Sequence, residues 1–194
     1  MHSVLKSDVS NTLQQYFEIK AVLPLGLTAL MQSRLQTNTV SFSGLVSEDL
    51  ELFSGKRTSR ELFEKIIRFS DNGSLAYNIF LTQISNLERF CGDYLSHKQV
   101  GQTGTLGQIL NAMKAHTSDP ENSEIVIMNE ILERRNCLIH NHGLANQKYV
   151  TASQSPHLPS QWRSATLGQS LTMISDYILY ASESIVRYSQ QFTI

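Results

Sequence analysis

The chain has 194 residues, 41% of them hydrophobic and 17% charged, with a formal net charge of −1. That length and balance suit one domain with its own core, or at most one and a fraction, which needs no metal or disulfide staple for stability. A near-neutral chain also cannot hold nucleic acid through one broad positive field, so any such contact must be local.

Met1 to Ser10 combines Lys6 with Asp8 and has no apolar core ahead of a small-residue cleavage site, so no signal peptide is expected. The most apolar run, Ala21 to Met31, is interrupted by Pro24, Gly26 and Thr28 and is too short to cross a bilayer. Cys91 and Cys137 sit in apolar, helical-looking stretches rather than in a disulfide framework. Together these predict a cytoplasmic protein with no membrane partner.

Apolar residues recur at spacings of three and four, and hairpin signals are scarce, which predicts an all-α fold. The first helix is expected to start at Asp8 or Ser10, to carry Leu13, Tyr16, Phe17 and Ile19, and to bend or break at Pro24 and Gly26. Gln36 to Gly44 is rich in Ser and Thr and reads as a connector. A turn near Ser47 leads to Thr58 and Ser59, which cap a helix through Phe63, Ile67 and Phe69; Asp71-Asn72-Gly73 stops it. Ser74 then opens a long helix carrying Leu75, Ile79, Phe80, Leu87, Phe90, Tyr94 and Leu95.

Gly101, Gly104 and Gly107 could suggest a phosphate loop, but no strand precedes them and no Lys-Ser/Thr follows. They read instead as a connector onto a short helix capped by Thr105. Ser118-Asp119-Pro120-Glu121 starts the next helix, which runs through Ile125, Ile131 and Arg135 to a left-handed stop near Gly143. Val150 to Ala165, with Pro156 and Pro159, reads as a long loop. A last helix, from about Thr166 through Leu171, Ile174, Ile178, Ile185 and Tyr188, closes the bundle.

The stretch from Glu133 to Gly143 carries the chemistry. At about 100° per residue, Ile127, Met128, Ile131, Leu132, Leu138 and Ile139 form an apolar arc with Arg135 at its middle. There the guanidinium must snorkel, meet a carboxylate such as Glu88, or face a shared cleft. Asn129, Glu133, Asn136 and His140 fall on the opposite, polar side. On an ideal helix Arg135 and His140 stand about 140° and about 7.5 Å apart, so they converge only if the helix deforms or a second copy supplies the facing residues.

From Arg134 to Ser175 there is no Asp or Glu, while Arg134, Lys148, Arg163, His142 and His157 fall in that window. This positive strip suits an RNA backbone, with Tyr149 and Trp162 available for stacking. His140 and His142 are two apart and face different ways, and no further ligand is suitably spaced, so no metal is expected. Cys137, flanked by Leu138 and Ile139, reads as a buried hydrophobe rather than a nucleophile.

The string Arg135-Asn136-Cys137-Leu138-Ile139-His140, followed by Asn141-His142-Gly143 near the end of a late helix, resembles the Arg-x4-6-His motif of the HEPN superfamily, with its polar second residue. The resemblance implies a HEPN-like helical bundle over about residues 74–190, with the first 70 residues as additional N-terminal helices of a single domain. It implies a homodimer with a composite cleft and a metal-independent endoribonuclease needing no cofactor. Arg135 and His140 would be the catalytic pair, and Asn136 would orient them. A toxin or phage-defence role, with an antitoxin or defence partner protein, follows from the same resemblance. Arg134, Asn141, His142, Lys148 and Arg163 are the candidate RNA contacts. Two alternatives stay open: a HEPN-like module that binds RNA or protein without cutting, and a target for nucleotide addition at Tyr149.

Overall fold

The computed structural model describes residues 1–33, 39–41, 56–71, 73–101, 104–117 and 122–192. Seven α-helices carry the fold among them: α1 (His2–Gln32), α2 (Ser59–Asp71), α3 (Ser74–His97), α4 (Leu106–Lys114), α5 (Ser123–His140), α6 (Gln147–Ala152) and α7 (Ser175–Ser189). The all-α class expected from apolar spacing is the class observed. One small ribbon departs from it. Strands β1 (Thr39–Ser41) and β2 (Lys56–Thr58) pair antiparallel, with Thr39 opposite Thr58, so the connector expected over Gln36 to Gly44 contains a strand. The turn expected near Ser47 and the helix start at Ser118 to Glu121 lie outside the described residues.

The chain divides into two compact units, Gln15–Leu75 and a larger one made of Met1–Gln14 with Ala76–Ile194. The smaller unit takes in most of the first 70 residues, but the first fourteen belong to the larger unit. In the smaller unit, the expected cap of α2 is a reciprocal one. Glu61 Oε2 accepts from the Thr58 N–H at 2.8 Å, and the Glu61 N–H donates to Thr58 Oγ1 at 3.2 Å. Gly73, with φ at 83°, makes the left-handed reversal into α3.

Two helix boundaries differ from expectation, each for a tertiary reason. Helix α1 starts at His2, not at Asp8 or Ser10. Leu5 and Val9 are buried, the Val9 carbonyl accepts from Gln83 Nε2 at 3.1 Å, and Asp8 pairs with Arg89 across 2.5 Å. Docking in the larger unit thus sets the start, overriding a local cap signal. The helix also runs unbroken through Pro24, which forfeits one backbone bond while its carbonyl accepts from Thr28 Oγ1 at 2.9 Å.

Helix α7 starts at Ser175, not near Thr166. The preceding segment is held extended against the turn after α5: the Leu171 N–H donates to the Gly143 carbonyl at 2.7 Å and the Ala145 N–H to that of Gln169 at 2.8 Å. Leu171 therefore joins Cys137, Ala145 and Tyr149 in the core, from outside any helix. The expected loop begins later than Val150 because Asn146 caps α6, its side chain accepting from the Tyr149 N–H, and it runs on to the start of α7.

At the centre lies α5, which packs on α4, α6 and α7. It is capped by Asn122, whose side chain accepts from the Glu124 N–H, so it begins at Ser123. At its other end the N–H groups of Asn141 and Gly143 both donate to the Cys137 carbonyl at 3.0 Å. His142 and Gly143 there take φ of 53° and 75°. The left-handed stop expected at Gly143 is present, preceded by a left-handed His142.

Candidate functional site

The face that α5 turns to the core keeps Ile127, Met128, Ile131 and Leu132 of the expected arc but reaches further round on one side. Glu130 and Arg134, four apart, are both buried, while Ile139 is exposed. These two charged residues widen the buried arc on one side and draw its centre round from Arg135 toward Arg134. The cation among apolar neighbours is therefore Arg134, and Arg135 swings to the edge of the helix.

Arg134 Nη1 donates to the Tyr149 hydroxyl at 2.8 Å and Nη2 to the Thr172 carbonyl at 2.8 Å. Tyr149 in turn donates to Glu130 Oε1, and Tyr177 to Oε2, each at 2.9 Å. The guanidinium carbon stands 3.8 Å over the Tyr177 ring and 5.6 Å from that of Trp162. Burial pushes the Glu130 carboxyl above its ordinary range, against the Arg134 charge and the two hydroxyls, which pull it down. Burial, reinforced by the Glu130 carboxylate, likewise raises the Tyr149 and Tyr177 phenols.

This cluster corrects several expectations. Arg134 is enclosed and cannot be an RNA contact. Tyr149 is buried with its hydroxyl engaged on both sides, which removes it both as a stacking platform and as an accessible acceptor of nucleotides. Trp162 is spent on Arg134 and on an edge-to-face contact with Tyr177 at 5.1 Å.

The opposite side of α5 is open. Arg135, Asn136 and His140 together line a surface hollow of about 670 Å³, walled by Thr105 and Gly107 on one side and Asn146, Gln147 and Lys148 on the other. Arg135 Nη1 donates to Asn136 Oδ1 at 3.1 Å, which holds the guanidinium toward the hollow. Among the described residues Arg135 has no carboxylate partner, and the pairing with Glu88 is absent. Arg135 and Asn136 are half-buried, whereas His140 and Lys148 are exposed. The polar stripe expected on α5 is thus real, and Arg135 joins it because of the shifted arc.

The walls follow from local sequence signals. Thr105 caps α4, with its N–H donating to Gln108 Oε1 at 2.7 Å, and Asn146 caps α6 directly beside Lys148. The Asn146 cap was readable only from Asn-x-x-Tyr at the start of a six-residue helix, too short to show periodicity. Of the remaining candidates, Asn141 Nδ2 donates to the Leu144 carbonyl at 2.7 Å and braces the turn after α5. His142 is exposed at the left-handed turn. Arg163 donates from Nε to the Leu158 carbonyl at 2.5 Å and from Nη2 to that of Pro156, clamping its own loop. None of these three lines the hollow.

Cys137 is buried, and burial raises its thiol, as suits a packing residue. Among the described residues no group of three or more His, Cys, Asp or Glu side chains is placed to hold a metal ion, and no helix is long and apolar enough to cross a membrane. No protein-family model, no curated protein and no solved structure matches the chain.

Proposed function

We propose that the open face of α5 is the active site of a metal-independent endoribonuclease of HEPN type. The observation that carries this reading is that Arg135, Asn136 and His140, the residues of the motif, line one solvent-open hollow although they are not on one ideal helical face. RNA brings its own nucleophile. The 2′-hydroxyl oxygen forms a bond to phosphorus as the bond from phosphorus to the 5′-oxygen breaks, giving a 2′,3′-cyclic phosphate and a 5′-hydroxyl. His140 takes the 2′-hydroxyl proton or delivers one to the departing oxygen. Arg135, oriented by Asn136, donates hydrogen bonds to the phosphoryl oxygens as charge builds there.

One imidazole serves one end of this reaction, and a twofold pair of copies supplies two. The exposed apolar side chains Ile139 and Leu144, either side of the His140 turn, suit a homodimer that brings two such hollows together. The hollow also holds the positive charge of Lys148, in reach of a phosphate chain. A part in phage defence or a toxin–antitoxin pair follows from the motif alone.

The test is cleavage of labelled RNA in EDTA by the wild type, Arg135→Ala and His140→Ala, with the mass of each in solution. Activity in the wild type alone, from a dimer, supports the proposal. Equal cleavage by all three, or loss of all cleavage on chelation, refutes it.

A further inference from the structure

Beside the motif hollow lies a second, of about 640 Å³, floored by Val126 and Asn129 of α5 and walled by Thr151 of α6 and by Gln154. Glu133, Gln147 and Lys148 line both, so the two hollows join along α5. The second contains no arginine and no histidine. Its single cation, Lys148, is matched by the Glu133 carboxylate, and the remainder is amide, hydroxyl and small apolar surface. Such a lining has no net positive charge to hold a phosphate and offers hydrogen-bonding partners to an uncharged group.

Glu133 is the unexplained member. Among the described residues it has no ion-pair and no hydrogen-bond partner, although it lines the same hollow as Arg135 and Lys148 in a site proposed to bind a polyanion. It lies seven residues before His140, about 10.5 Å along the helix, comparable with the span from a nucleotide's phosphate to the far edge of its base.

We infer that the second hollow is a nucleobase pocket in which Glu133 selects guanine in single-stranded RNA. This rests on the ribonuclease reading for its substrate class. Guanine alone presents two adjacent donors, N1–H and the 2-amino group, which match the two oxygens of one carboxylate. Adenine and cytosine set an acceptor beside their amino group, and uracil flanks its one N–H with carbonyls, so each turns an oxygen or a bare nitrogen toward the carboxylate. Single strands leave these edges free to be read.

The test uses the His140→Ala protein, to keep RNA uncut, and labelled oligouridines carrying one central guanine, inosine, adenine or cytosine. The guanine oligomer should bind about tenfold or more tighter than the adenine and cytosine ones, the scale of a two-bond base contact. Inosine, lacking the 2-amino group, should fall between. Adding Glu133→Gln should bring all four within about twofold while its melting temperature holds. No base preference, an equal loss for all four on Glu133→Gln, or no binding of any oligomer would overturn the inference. The nuclease reading fails separately: cleavage at every base with no guanine preference keeps it and removes the pocket, whereas guanine-selective binding with no cleavage by the wild type does the reverse.

Discussion

Replacing Arg134 with methionine keeps most of the side-chain volume and removes the charge, leaving the Glu130 carboxylate buried with two tyrosine donors and no counter-ion. The guanidinium also gives up its bonds to the Tyr149 hydroxyl and the Thr172 carbonyl and its place over the Tyr177 ring. Breaking a buried pair from one side costs about 3–5 kcal/mol. For a chain of this size each kcal/mol moves the melting temperature by about 2–4 °C, so a fall of roughly 6–20 °C is expected. Urea unfolding of the wild type, Arg134→Met, Glu130→Gln and the double variant measures it. The double variant should recover part of the loss, because the two residues share one network. A loss under about 1 kcal/mol for Arg134→Met, with RNA affinity falling instead, would mean that this arginine serves the surface and that the buried arc of α5 is misplaced.

Other perturbations have equally definite outcomes. Because burial raises the Glu130 carboxyl above its unfolded value, protonation favours the folded state. Its contribution to stability is full below the ordinary glutamate range, near pH ~4.3, and is lost as pH rises through the folded value. The stability advantage of wild type over Glu130→Gln should therefore narrow from pH 4 to pH 7 in parallel urea titrations, and a widening gap would contradict the sign. Gly143→Ala forces a side chain into φ of 75° and should cost about 1–2 kcal/mol in the same titration. Lys148→Ala should weaken RNA binding at every sequence and reduce the slope of log affinity against log salt by about 1, measured by fluorescence anisotropy.

Much of this was readable in the residue order where the signal is local. Thr58 with Glu61, Thr105 ahead of α4 and the left-handed Gly143 all act within one helical turn, and the structure places them as their spacing implies. The polar stripe Asn129, Glu133, Asn136 and His140 was readable for the same reason: it needs only the helical period. What escaped depends on partners distant in the chain. Glu130 and Arg134 look like surface charges until Tyr149, Thr172 and Tyr177 arrive from α6, the segment before α7 and α7 itself. Without those partners the arc centres on Arg135, and the burial of Arg134 and Tyr149 is invisible. Likewise, Leu171 carries the spacing of a helix but is pinned extended by the Gly143 carbonyl.

The chemistry itself is tested most directly by a single atom. A short RNA with one preferred cleavage site is made twice, once as ribose throughout and once with a 2′-deoxyribose at the nucleotide 5′ to the cut, and both are incubated with wild-type protein in EDTA. If the Arg135 and His140 hollow promotes attack by the RNA's own hydroxyl, the first is cut to a 2′,3′-cyclic phosphate end and the second stays intact at that position. Cleavage of the deoxy-substituted site at a similar rate would require an external nucleophile and would contradict the assignment.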